Sequence, residues 1–344
     1  MYRILSIDGG GLRGIIPVKV LQHLEMLTGK KVYDMFDMFA GTSTGGLIAA
    51  GLTITDDSKV YPRYNLKKIE SVYREKANAI FPNKGQLHQW WRSQFYSYPF
   101  RPQFKPDGLH AVLSELFPHD ARILDCGKPI LIPSYDLELN APLFFKRRYA
   151  ESDARKNALL VDVCRATSAA PTFLPTHSFA HHHEFQNKQT NKVTTLDGGV
   201  YMNNPSLAAL VEILKHRDYY GQDNLADKDI FLLSLGTGSS MTNIADKAKS
   251  FGKVKWVRPL IEIMMLGGSQ ATDYNLDEGL KFKNSTTLNY LRINVDIDNP
   301  KYLDMALSSP AALTYLLNRV QKDFIENAFI QNQLNKFIAD AELL

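Results

Sequence analysis

Ser43 is the residue whose type and spacing most directly indicate chemistry, because glycines flank it in Gly41-Thr42-Ser43-Thr44-Gly45. An apolar, strand-like run precedes this motif and a helical run at 47–50 follows it. A sharp strand-to-helix turn crowds the backbone, so the glycines remove side chains that would clash. The pattern predicts an exposed serine hydroxyl able to attack an acyl carbon. A serine that only caps the helix is the alternative.

Three consecutive glycines after the first predicted strand could stabilise the charge that such an attack creates. The strand at 2–7 runs into Asp8-Gly9-Gly10-Gly11-Leu12-Arg13-Gly14, and a helix with apolar residues at helical spacing follows. Adjacent glycines present unhindered backbone N–H groups, which an oxyanion hole requires. We therefore predict that Gly9, Gly10 and Gly11 form the oxyanion hole, with Arg13 as a candidate supporting residue.

The same loop also fits a dinucleotide-binding pattern. Gly9, Gly11 and Gly14 satisfy G-x-G-x-x-G between a strand and a helix, and Asp34 lies further along the chain. In that pattern the acidic residue ends the second strand, whereas Asp34 precedes the next predicted strand. We favour the oxyanion hole because that strand leads to Ser43.

Asp197 is the candidate base, since it follows a short predicted strand and precedes Gly198 and Gly199. Loops at the carboxyl ends of parallel strands converge in an α/β sheet, so Asp8, Ser43 and Asp197 could meet there. The alternative is an ordinary turn aspartate before glycines. We predict that Asp197 accepts the Ser43 proton, with Gly198 and Gly199 as candidate supporting residues.

A histidine base is poorly placed in this sequence. After Asp197 the chain has His216 as its one histidine, near the end of a predicted helix. His181, His182 and His183 fall in a polar stretch that we interpret as a solvated loop, and no second ligand cluster accompanies them. The sequence therefore predicts a Ser-Asp dyad, no metal site and no cofactor.

The elements that must position these residues alternate between strands and helices along all 344 residues, without a linker or repeat. We predict a three-layer α/β/α fold with a mainly parallel central sheet, in a single catalytic domain over 1–344. An aromatic, proline-interrupted stretch predicts a lid-like insertion around 85–106, although its rings could instead fill the core. A helical region is expected around 303–344.

Charge, cysteine content and the distribution of apolar residues indicate which partners and which cellular compartment to expect for this protein. A net charge of +4 gives no support for a nucleic-acid partner, and Cys126 and Cys164 show no pairing pattern. A strand beginning near Tyr2 leaves no room for a leader, and no apolar run approaches membrane-spanning length. We expect a cytoplasmic protein with transient membrane association.

The three motifs together, Asp-Gly-Gly-Gly-Leu-Arg-Gly, Gly-Thr-Ser-Thr-Gly-Gly and Asp-Gly-Gly, resemble those of the patatin-like phospholipase family. The similarity extends over most of the chain, through segments at 166–171, 233–238 and 289–292. The resemblance implies a lipid acyl hydrolase without a metal cofactor, acting on phospholipids or lysophospholipids at a membrane. It also implies that Ser43 is the nucleophile, Asp197 its partner and Gly9 to Gly11 the oxyanion hole.

Two other functions remain open from the sequence. A non-catalytic nucleotide-binding or storage protein could keep these loops without turnover. Some bacterial relatives are defence phospholipases that a nucleotide activates, but the sequence identifies no activator.

Overall fold

The computed structural model describes residues 1–82, 102–239, 245–278 and 289–344. These residues form one mixed sheet flanked by helices. The strands are β1 (Tyr2–Ile7), β2 (Met38–Gly41), β3 (Ile130–Asp136), β4 (Ala141–Lys146), β5 (His177–Phe185), β6 (Lys188–Asp197), β7 (Ile230–Leu235) and β8 (Asn289–Ile293). The helices are α1 (Ile15–Thr28), α2 (Val32–Met35), α3 (Thr44–Thr53), α4 (Leu66–Glu75), α5 (Ala77–Ile80), α6 (Pro106–Leu116), α7 (Arg147–Ser152), α8 (Leu160–Thr167), α9 (Gly199–Met202), α10 (Ser206–Lys215), α11 (Ala245–Ala248), α12 (Lys253–Asp277), α13 (Pro310–Val320) and α14 (Ala328–Asp340).

Within the described residues the sheet has the strand order β5-β6-β3-β2-β1-β7-β8, and β4 pairs with β3 outside this path. The pairings of β1 with β2 and β7, of β2 with β3 and of β7 with β8 are parallel. The pairings of β3 with β4 and β6, and of β5 with β6, are antiparallel. The predicted α/β fold class is confirmed, and the sheet is mixed.

Helices cover both faces of this sheet. Alternate residues of a strand point to opposite faces. Ile4 and Leu232 belong to one buried cluster with Ile213 of α10. Their neighbours Leu5 and Leu233 belong to a larger cluster that contains residues of α1, α3, α8, α13 and α14. The two clusters form the two sides of a three-layer arrangement.

The strand that leads to Asp197 differs from the expected parallel one, because β6 runs antiparallel to β3. On one edge of β3, β2 pairs first, with Ala40 opposite Leu131. Further along the same strand β6 pairs with it, and Asp197 lies opposite Ser134. The carboxyl ends of β2 and β6 therefore approach each other end to end. This brings Asp197 towards the turn that carries Ser43.

The expectation of a solvated histidine loop is wrong, since His181, His182 and His183 are buried in β5. His183 Nδ1 lies 2.8 Å from Asp136 Oδ2, and His182 Nδ1 lies 2.7 Å from Asn191 Oδ1. His181 packs against aromatic rings, and burial lowers its pKa to about 4. Hydrogen bonds to Asp136 and Asn191 allow the polar side chains of His183 and His182 to be buried in the sheet.

Among the described residues, no group of three or more His, Cys, Asp or Glu could hold a metal ion.

The predicted insertion around 85–106 lies mostly outside the described residues, which omit 83–101. Phe104, at its end, packs edge-on against Phe81 with ring centroids 5.0 Å apart. In the predicted C-terminal helical region, α13 and α14 contribute buried side chains, including Phe337, to the larger core cluster. Within the described ranges, no helix has the length and apolar character that a membrane crossing needs.

Candidate active site

Ser43 lies in a strained turn between β2 and α3. Its backbone has φ 54° and ψ −120°, a conformation that non-glycine residues rarely adopt and that active sites often retain. A Cβ atom on Gly41 would lie 2.1 Å from the Gly45 carbonyl oxygen, and one on Gly45 would lie 2.2 Å from that of Ile7. The two glycines of the motif are therefore required by close backbone approach, as the sequence argument predicts.

Thr167, at the end of α8, holds this turn in place. The Ser43 N–H donates to Thr167 Oγ1 at 2.9 Å, and the Thr167 hydroxyl donates to the Pro133 carbonyl at 2.6 Å. The sequence argument gave Thr167 no role. Its signal was the run of small residues at 166–171, which indicates close packing of backbone near a site.

Asp197 is buried, and its two carboxyl oxygens have different surroundings. Oδ1 accepts the Gly199 N–H at 2.7 Å, whereas Oδ2 has no partner of standard hydrogen-bond geometry in the described part of the chain. Burial raises the pKa of Asp197 to about 7, although the Gly199 N–H and the Ser43 hydroxyl both act to lower it. The structure thus places a carboxyl group that titrates near neutral pH beside Ser43.

Gly198 and Gly199 shape the backbone around this carboxyl group. A Cβ atom on Gly198 would lie 2.3 Å from the Pro133 carbonyl oxygen. One on Gly199 would lie 2.7 Å from Met265 Cε and 3.1 Å from Asp197 Oδ1. Any larger residue at either position would displace Asp197 or its neighbours.

The three glycines after β1 have different hydrogen-bond states. The Gly9 N–H donates to the Asn203 carbonyl at 3.1 Å. The N–H groups of Gly10 and Gly11 donate to no other described residue. Gly11 has φ 57° and lines the same cavity as Ser43. With respect to the described residues, this loop therefore offers two backbone N–H donors without an acceptor, rather than three.

Asp8 is a support for the glycine loop rather than a member of the cavity lining. Arg292 of β8 donates to both of its carboxyl oxygens, at 2.9 and 2.5 Å, and Ser269 Oγ donates to Oδ2 at 3.1 Å. Such a bidentate pair fixes orientation as well as charge. Neither Arg292 nor Ser269 was identified from the sequence as part of the site, although the segment 289–292 contributed to the family resemblance.

Arg13 lies behind the loop and does not line the cavity. Burial lowers the pKa of its guanidinium to about 10, against the opposing effect of Glu262, Asp304 and Asp8. Its Nε atom has no hydrogen-bond partner within the described ranges. Its backbone N–H donates to the Gly10 carbonyl at 3.1 Å, so Arg13 contributes to the turn that presents the glycine N–H groups.

Ser43 and Asp197 share one cavity with about 640 Å³ of empty space, part of it open to solvent. Most of its lining is apolar. The described residues that line it are Gly11, Leu12, Ser43, Thr44, Leu47, Val72, Tyr73, Ile80, Phe81, Leu109, Ser168, Ala170, Phe173, Leu174, Asp197, Met265 and Met305. No histidine of the described chain lines it, and His216 lies at the end of α10.

The acidic residue of the dinucleotide pattern does not end a strand. Asp34 lies in the short helix α2, before β2 begins. Around the glycine loop, a Cβ atom on Gly10 would lie 2.1 Å from Thr237 Oγ1. The loop is therefore packed by the protein itself on that side, while Gly11 faces the cavity of Ser43.

The amino-acid sequence of this chain is similar to those of known proteins over most of its length. Residues 5–210 match the sequence profile described as "Patatin-like phospholipase". "Patatin-like protein 3" of Arabidopsis thaliana is 32% identical over 96% of this chain and 84% of its own length. "Patatin-15" of Solanum tuberosum is 29% identical over 94% of this chain and 86% of its own.

A solved structure, that of VipD from Legionella pneumophila, aligns with 93% of this chain and 66% of its own chain, with 12% identity and a TM-score of 0.41. That likeness is too weak to support an argument. The sequence matches cover both the Ser43 and the Asp197 segments. The chain belongs to the patatin-like phospholipase family.

Proposed function

We propose that this protein hydrolyses fatty acyl esters of membrane phospholipids or lysophospholipids through a Ser43–Asp197 dyad. Membership of the patatin-like phospholipase family supports lipid acyl hydrolysis at the level of the family. The observation that carries the finer proposal is the position of Ser43 and Asp197 together in the wall of an apolar cavity. A carboxyl group with a pKa of about 7 is well matched to accept and return a proton near neutral pH.

In the first half of the reaction, Ser43 Oγ attacks the ester carbonyl carbon while Asp197 Oδ2 accepts the hydroxyl proton. The N–H groups of Gly10 and Gly11 donate to the oxyanion that forms. The tetrahedral intermediate then collapses, and the alcohol leaves with the proton held by Asp197. An acyl-Ser43 ester remains.

In the second half, Asp197 accepts a proton from water as the water oxygen attacks the acyl carbon. Collapse of the second tetrahedral intermediate breaks the bond to Ser43 Oγ. The proton returns to Ser43, and the fatty acid leaves. Every proton transfer in this scheme uses Asp197, so it needs neither a histidine nor a metal ion.

The apolar lining supports an acyl chain as the bound part of the substrate. Leu47, Val72, Phe173 and Leu174 are apolar lining residues, and among the described residues of the lining Asp197 is the one charged side chain. An aliphatic chain gains free energy by leaving water for such a surface. A substrate that comes from a bilayer requires the enzyme to contact the membrane. We therefore propose a cytoplasmic protein that associates transiently with a membrane.

A fluorophosphonate probe tests the proposal directly, because it forms a stable adduct only with an activated serine. We expect the adduct to map to Ser43 by mass spectrometry and to be absent from Ser43→Ala protein. Wild-type protein should also release fatty acid from phospholipid vesicles. Folded wild-type protein that neither labels at Ser43 nor releases fatty acid would support the non-catalytic alternative.

A valine at Gly10 is expected to lower turnover of a soluble ester about a hundredfold, the usual effect of losing one oxyanion donor. Its side chain would meet Thr237 Oγ1, 2.1 Å from the position of the added Cβ atom, and displace the loop. The matched control is Gly252→Ala, where a Cβ atom meets nothing within 4 Å. Initial rates and thermal unfolding are measured for both variants. Unchanged turnover in Gly10→Val would contradict the role of this loop.

A further inference from the structure

The solvent-facing side of the first half of α12 is apolar. Five large apolar side chains lie on this side, each between 37% and 50% exposed: Trp256, Val257, Leu260, Ile263 and Met264. At about 100° per residue, all of them fall within about 120° of one another around the helix axis. We call this surface the α12 apolar face. Large contiguous apolar surfaces that remain exposed commonly mark interaction sites.

The opposite side of α12 already packs on the protein. Met265 lines the cavity, Ser269 bonds to Asp8, and Leu276 joins a buried cluster. A surface helix of a globular protein usually has one apolar side, which faces the core. The α12 apolar face is additional to that side. Trp256 packs edge-on against Phe251, with ring centroids 5.5 Å apart, and the side chains of the face still remain 37% to 50% exposed.

The orientation of α12 places this face at the catalytic edge of the sheet. Ser269 is level with Asp8, at the carboxyl end of β1, whereas Leu276 clusters with Ile230 at the start of β7. The helix therefore runs from the catalytic edge towards the other edge. At 1.5 Å per residue, Trp256 lies about 20 Å before Ser269 along the helix, on the side of the cavity.

We propose that the α12 apolar face docks onto a lipid bilayer that carries anionic headgroups and so brings the cavity to its substrate. This inference rests on the proposed function. Lys253 is exposed in the first turn of the helix and lies about 20° from the centre of the α12 apolar face, so it can meet anionic headgroups. Glu262 is the acidic residue of this half, and it lies about 160° from the centre of the α12 apolar face. Tryptophan beside aliphatic residues suits a membrane interface.

A second copy of the chain fits this surface less well than a bilayer. A two-fold symmetric contact would bring the same surface of both copies together, including Lys253. The chain already has a net charge of +4, and like charges held at an interface repel each other. An anionic bilayer complements the same lysine.

Docking is tested on the Ser43→Ala background, so that binding is scored without lipid turnover. The test variant is Leu260→Ser/Ile263→Ser, and the probe is vesicles of phosphatidylcholine with phosphatidylserine, separated by flotation. We expect the vesicle partition coefficient to fall tenfold or more, because two half-exposed aliphatic side chains no longer enter the bilayer. The matched control, Met26→Ser/Val211→Ser, removes similarly exposed apolar side chains from α1 and α10 and should partition like its parent.

Lys255→Gln is the matched control for charge, because Lys255 lies about 140° from the centre of the α12 apolar face, and it should bind like its parent. The contribution of charge is measured with Lys253→Gln. A lysine near an anionic surface contributes about a fivefold gain in binding, so this variant should lose roughly fivefold on phosphatidylserine vesicles. On phosphatidylcholine alone it should match its parent. Equal binding of this variant and its parent to the anionic vesicles would contradict the proposed role of anionic headgroups in docking.

Other outcomes separate this proposal from its alternatives. Test-variant protein that floats as well as its parent overturns the docking surface, as does a parent that does not float. A parent that sediments as a dimer, and a test variant that is monomeric but partitions equally, would assign the face to a second copy. Soluble-ester turnover by protein that keeps Ser43 tests the proposed function separately. Leu260→Ser/Ile263→Ser should leave that turnover unchanged, since Leu260 and Ile263 do not line the cavity.

Discussion

Alanine at Ser43, or asparagine at Asp197, is expected to lower turnover of a soluble short-chain ester by roughly four orders of magnitude or more while the fold remains intact. The first variant has no nucleophile, and the second has no group that can take the serine proton. Residues that act as one unit give losses that do not add. The double variant should therefore be little slower than either single variant. Initial rates and circular dichroism measure these effects.

The control for the dyad is His216→Ala, because a histidine base is the usual alternative. His216 lies at the end of α10 and does not line the cavity, so this variant should keep substantial turnover. Turnover near the wild-type rate in Asp197→Asn would contradict the dyad. A fall of His216→Ala to the Ser43→Ala background, in folded protein, would indicate a triad instead.

The parts of the site that were predictable from sequence are those decided by local sterics. The glycines around Ser43 are needed because backbone atoms approach within 2.1 and 2.2 Å of where their Cβ atoms would be. This requirement acts over a few residues, so a short motif records it. The end of helix α1 is also decided locally, because Gly29 follows it with φ 68°, the left-handed conformation that favours glycine.

The parts that were not predictable depend on contacts between distant segments. Thr167 stabilises the Ser43 turn from 124 residues away, and Arg292 fixes Asp8 from 284 residues away. The direction of β6 depends on its pairing with β3, because an isolated strand has the same pattern in either direction. The buried histidines of β5 were misread for the same reason, since their partners, such as Asp136, lie on other strands.

The free energy of unfolding is expected to fall with rising pH because of Asp197. Burial raises the pKa of its carboxyl group from 3.8 to about 7 in the folded protein. Below pH 3.8 the group is protonated in both states, so it does not change stability with pH. Between 3.8 and about 7 the unfolded chain loses a proton that the folded protein keeps, so the folded state loses stability. The full cost above pH 7 is roughly 4 kcal/mol.

Asp197→Asn isolates this effect, because an amide of the same shape does not titrate. Other groups titrate alike in both proteins, so the difference between their free energies of unfolding reports Asp197 alone. We expect urea unfolding to show the variant gaining roughly 4 kcal/mol on wild type between pH 4 and pH 8.5. A constant difference across this range would mean that Asp197 is already ionised at low pH. In that case burial would not raise the pKa of Asp197 to the value that a base working near neutral pH needs. The loss of stability and the proposed catalysis are linked, because the ionised Asp197 carboxylate that lowers the stability of the fold above pH 7 is the form that accepts the Ser43 proton.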